Sequence, residues 1–139
     1  MAASLHLLVR TVHVLGMAVL LGGTVAVWYA RRTDRSVPSL SFEWVFWATF
    51  GVMLVTGVGN LGALGPPGPD TRWGRLLTAK LLVVLALVVG SGLRTMVVLR
   101  LSAAADETAG AEAPLGALYG ATVVALLLLV VLAEVLAHG

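Results

Sequence analysis

The sequence predicts an all-α integral membrane protein, a four-helix bundle with both termini on the outer side of the membrane. Three observations lead there. Four apolar stretches, at 5–30, 42–64, 76–99 and 115–137, each exceed the roughly 20 residues that cross a hydrocarbon core. Only 12% of the 139 residues are charged, against about 25% in soluble domains. The connections are short and leave no room for a separate soluble domain. Residues 1–139 therefore read as a single transmembrane domain, with helices at about 5–30, 42–64, 74–100 and 115–137.

The first stretch is longer than the apolar core of a secretory signal and runs into Arg31 and Arg32, so it reads as a retained helix. Trp28 and Tyr29 precede those cations, an aromatic-then-basic exit from a bilayer. A loop with Asp34, Arg35 and Pro38 follows, with Ser41 as the expected N-cap of the second helix. Glu43 then falls in the first turn, where a carboxylate suits the helix dipole, and Phe42, Trp44 and Trp47 complete an aromatic belt. Gly51, Thr56, Gly57 and Gly59 make the second helix suited to close packing against neighbours.

The Gly-Pro-Pro-Gly-Pro-Asp run at 65–70 is a turn outside the bilayer, and Trp73 and Arg75 mark the interface beyond it. The third helix carries Lys80 about two turns in, then Gly90, Ser91 and Gly92, and exits through Arg94 and Arg100. A flexible connector at 102–114 holds Asp106, Glu107 and Glu112. The fourth helix is a Leu/Val/Ala run up to Glu134 and His138. Five arginines, Arg31, Arg32, Arg35, Arg94 and Arg100, belong to one side; Arg72 and Arg75 occupy the facing loop. The cation excess places the five-arginine side in the cytoplasm and the protein in the cell membrane.

Function is concentrated in the first helix. His6, Arg10, His13 and Met17 are three, four or seven residues apart, so they share one helical stripe. On the expected topology, Lys80, Glu134 and His138 reach the same outer depth from other helices. Ionisable side chains at membrane depth mark functional sites when they converge, and here they predict one outer-leaflet polar pocket. Each has a plainer reading: His6 solvated at a helix end, Arg10 snorkelling to headgroups, Lys80 paired with Glu134, and Met17 packing.

Two ligands suit such a pocket. Haem b would take His13 as axial ligand and His6, or a residue of another helix or protomer, as the second. Arg10 and Lys80 would meet the propionates, and Gly16, Gly22 and Gly23 would make room for a flat cofactor. Copper would use His6, His13, Met17 and Met53. The cations Arg10 and Lys80 repel a bare metal ion and favour a ligand that carries carboxylates. The first expectation is therefore a haem b protein in electron transfer or another haem-linked redox role, with an unidentified redox partner and a homodimer supplying the second ligand. Copper handling is the alternative, followed by a porphyrin-acting oxidase and a structural subunit. The absence of cysteine excludes disulfides, iron–sulfur clusters and thiolate sites, and no basic run points to nucleic acid.

Val12-His13-Val14-Leu15-Gly16 followed by Leu21-Gly22-Gly23 resembles the first helix of the CopD-type copper-resistance membrane proteins. Trp73-Gly74-Arg75-Leu76-Leu77, with Lys80 and Leu81, resembles that family's entry into its third helix. The HemJ-type protoporphyrinogen oxidases are similar in outline, with four helices, a histidine in the first, a lysine in the third and bound haem b. Leu21 stands where a tryptophan is common, and the HemJ-type Leu-Pro-Arg-Leu-Phe continuation after the glycines is absent. The resemblance implies a four-helix membrane fold and points to His13 and Lys80.

Overall fold

The structure, a computed structural model, describes residues 2–33, 39–64, 68, 70–103 and 112–138. The connectors expected at 34–38 and 104–111, and most of the proline-rich turn, lie outside the described residues. Four helices carry the chain: α1 (Ala2–Arg32), α2 (Ser39–Leu64), α3 (Arg72–Ala103) and α4 (Glu112–His138). Each contains a span long and apolar enough to cross a membrane, which makes this a multi-pass membrane protein. Each also begins a few residues before its predicted start. The N-cap expected at Ser41 is thereby corrected, because α2 already begins at Ser39. At α3 the cap is Thr71, whose hydroxyl accepts from the Gly74 amide at 3.0 Å.

The helices form an antiparallel ring. α1 packs between α2 and α4, α3 packs between α4 and α2, and among the described residues the backbones of the diagonal pairs do not come close, although the Tyr119 side chain of α4 reaches across to Glu43 of α2. Of the four neighbouring pairs, α2 and α3 bring their backbones together least. The start of α1, the end of α2, the start of α3 and the end of α4 lie at one end, here the His13 end. The opposite ends of the four helices make the other, here the Glu43 end.

Buried residues recur at steps of three and four on every helix, the spacing of a bundle seam, and on α2, α3 and α4 the steps alternate. On α2 the stripe is Ser39, Glu43, Phe46, Phe50 and Met53; on α3 it is Leu87, Ser91, Arg94 and Val98. On α4 it is Leu115, Tyr119, Thr122, Leu126 and Leu129. Leu20, Phe46, Phe50, Met53, Leu87, Leu126 and Leu129 fill the middle of the bundle, and Val27, Val98, Leu115 and Tyr119 form a second apolar cluster towards the Glu43 end. The opposite faces carry Val55, Val58, Leu82 and Val124, which are exposed in the isolated chain and suit lipid.

Candidate functional site

Two polar centres interrupt this apolar interior, one towards each end. The first is built on His13. It extends the buried α1 stripe and is half-buried against α2. Its Nδ1 lies 2.8 Å from the Thr56 hydroxyl oxygen. Thr56 donates its own proton to the Val52 carbonyl at 2.8 Å, so its oxygen is left to accept and the imidazole proton is assigned to Nδ1. The Nε2 lone pair is then free for a ligand. A partner on the far nitrogen is how metal-binding imidazoles are held in one tautomer and orientation.

Small residues make this approach close. A methyl group on Gly57 would sit 3.5 Å from His13 Cε1, and one on Gly16 only 2.7 Å from Met53 Sδ. Met53 is thus seated on α1 one turn from His13, and Met17, four residues from His13, packs half-buried against the same apolar cluster. Lys80 is half-buried on α3.

The rest of the expected pocket does not assemble in this way. His6 keeps the angular position of His13 and Leu20 but lies two turns nearer the helix end, beyond the residues that cover them, and is exposed. Arg10 is exposed as well, because the stripe that turns inward is Val9, His13, Gly16 and Leu20. Glu134 is exposed near the end of α4, and the side chain of His138 lies outside the described residues. Nor do the glycines leave a slot for a macrocycle. Gly16 is filled by Met53 and Gly23 by the Phe42 ring, 2.8 Å from the position of an added methyl, while Gly22 faces outward. These residues do not fit haem b as the sequence suggested. No group of three or more His, Cys, Asp or Glu residues among the described ones could hold a metal ion.

The second centre was not anticipated. Ionisable residues were expected only at the outer depth, yet Glu43 and Arg94 meet towards the opposite end and are 2% and 0% exposed. Arg94 Nε donates to Glu43 Oε1 at 2.8 Å and Nη2 donates to Oε2 at 3.1 Å, a two-pronged pairing. The Tyr119 hydroxyl donates to Oε1 at 2.7 Å and the Thr95 hydroxyl donates to Oε2. Arg94 Nη1 donates to Thr122 at 2.8 Å, and Trp47 Nε1 to Thr95 at 2.9 Å. The guanidinium lies 4.3 Å from the Phe46 ring centre and 4.8 Å from that of Tyr119. Arg94 is therefore a core residue rather than part of the helix exit. Glu43 is likewise a ligand of that core rather than a dipole cap. α1 closes this end through Trp28 on Gly120 and Arg31 over Tyr119, with Arg31 also donating to Ser39.

The family described as CopD, copper resistance protein D, matches residues 39–137. The chain belongs to the CopD family. The match starts at the first residue of α2 and ends in the last turn of α4, so Glu43, Arg94, Tyr119 and the Gly74–Lys80 segment lie inside it. His13 lies before it. Comparison with curated proteins and with solved structures finds no match. Among the described residues, the CopD chain thus carries its most buried charges within the matched helices and a half-buried imidazole, His13, on α1.

Proposed function

We propose that this protein handles copper within the bilayer, taking cuprous ion as cargo on the α1–α2 seam. The observation that carries this reading is the His13–Thr56 hydrogen bond, which leaves Nε2 free beside the seam that holds the Met53 thioether. Membership of a family described by copper resistance supports it. Imidazole and thioether are soft donors that select cuprous ion, and that ion tolerates low coordination numbers. His13 with Met53 and Met17 is then a sufficient donor set. Lys80 favours the same choice, because Coulomb repulsion scales with charge and a monovalent ion suffers half that of a divalent one.

The His13 end faces outward from the cell membrane on this reading, and the Glu43 end faces the cytoplasm. Arg94 leaves the cation count because Glu43 neutralises it. Arg31, Arg32, Arg35 and Arg100 still outnumber Arg72 and Arg75 of the facing loop.

Purified protein titrated with cuprous ion against a competing chelator tests the proposal. Wild type retains copper, His13→Ala loses it, and the visible spectrum has no Soret band. Equal copper retention by wild type and His13→Ala overturns it, as does a Soret band that depends on His13.

A further inference from the structure

The Glu43–Arg94 centre plays no part in holding copper, and it differs from the His13 centre in one respect. All four helices converge on it. α2 brings Glu43 and Trp47, α3 brings Arg94 and Thr95, α4 brings Tyr119 and Thr122, and α1 brings Arg31 onto the outer edge of the Tyr119 ring. Both carboxylate oxygens are doubly engaged, so the charge is compensated only while these helices stay together. At the His13 end, by contrast, His13 and Lys80 are only half-buried.

Two buried side-chain polar atoms meet no partner among the described residues, Arg31 Nε at the edge of the centre and the Ser91 hydroxyl behind it. Ser91 stands on the α3 stripe one turn from Arg94, towards the bilayer centre, and is 1% exposed. Its hydroxyl meets no hydrogen-bond partner among the described residues. Buried polar groups are nearly always satisfied, and one that is not calls for an explanation. A hydroxyl placed behind a closed polar layer is satisfied when that layer opens and water reaches it.

We propose that the Glu43–Arg94 pair is a gate: it seals the Glu43 end of the bundle, and its release admits water from that end as far as Ser91. The inference is independent of what binds at His13. In the closed state Arg94 is neutralised by Glu43 and flanked by Phe46 and Tyr119, so neither ions nor water have a polar route inward. Loss of the Glu43 charge removes the partner that holds α3 against α2, the two neighbouring helices whose backbones approach least.

The chain has no cysteine, so Ser91→Cys supplies a single reporter thiol of similar size. Full-length protein in oriented vesicles is treated with a membrane-impermeant thiol reagent from each face in turn. Ser91→Cys alone labels slowly from both faces. Adding Glu43→Gln, which keeps the shape but not the charge, raises labelling from the Glu43 end by about ten-fold or more, and leaves the His13 face unchanged. Unchanged labelling in a Glu43→Gln protein of native helical content overturns the gate. So does an equal rise from both faces, which reports general loosening. If Glu43→Gln fails to accumulate in the membrane, Thr122→Ala, which removes one contact of Arg94, takes its place under the same outcomes.

Discussion

His13 on α1 and Thr56 on α2 are joined by a 2.8 Å hydrogen bond in which the imidazole donates and the hydroxyl accepts. Thr56 thereby fixes both the tautomer and the aim of His13. Replacing a partner of this kind costs a metal site about 10–100-fold in affinity. Thr56→Val is expected to weaken cuprous binding by that factor, whereas Thr56→Ser retains it. A chelator competition titration of both variants checks the contrast.

Two glycines on the same helix separate the proposed copper site from simple packing. An alanine at Gly16 would press on Met53 Sδ, the mobile part of a flexible side chain, while one at Gly23 would press on the rigid Phe42 ring. Gly16→Ala is expected to reduce copper affinity with little loss of stability. Gly23→Ala is expected to lower stability by about 1–3 kcal/mol and leave copper affinity unchanged. Thermal melts in detergent, paired with the copper titration, distinguish them.

Truncating one member of the buried ion pair strands the other. Arg94→Met alone is expected to destabilise the bundle by about 3–5 kcal/mol. The double variant Arg94→Met with Glu43→Leu recovers much of that loss, because no uncompensated charge remains. Tyr119→Phe removes one donor from Glu43 and costs about 1 kcal/mol. Chemical denaturation of wild type, Arg94→Met, Glu43→Leu and the double variant gives the coupling energy directly.

His6 makes a negative control. It is exposed two turns from His13, and substitutions of that kind change free energies by no more than about 0.5 kcal/mol. His6→Ala is expected to leave both melting temperature and cuprous affinity near wild type in the same assays.

The four spans were legible because length and apolarity alone decide them. His13 was legible because an imidazole inside an apolar helix needs a partner. The identity of that partner was not, since it depends on which turn of α2 faces which turn of α1. The inward sense of His6 and Arg10 failed for a related reason: angular position is a property of one helix, but cover depends on where its neighbours end. Glu43 and Arg94 were within reach. Continuing the Met53–Phe50–Phe46 stripe backward by alternating steps lands on Glu43 and then Ser39. Arg94 falls between Leu87 and Val98 on an equally regular stripe. Their nearness to helix ends made a dipole cap and an exit cation the simpler assignments.

The Glu43–Arg94 pairing also constrains how the chain is made. A lone ionised side chain costs about 2.5–3.5 kcal/mol to pass from the translocon into lipid at the centre of a helix and less towards its end, and α2 carries a carboxylate near its start before its counter-charge has been synthesised. The two partners lie on consecutive helices joined by a short connection. Entering side by side, α2 and α3 neutralise each other in transit. Tyr119 and Thr122 come later, on the last helix, and complete a contact that its predecessors have already begun. The order of residues along the chain is thus also an order of assembly, with the carboxylate shielded soonest by the helix translated next.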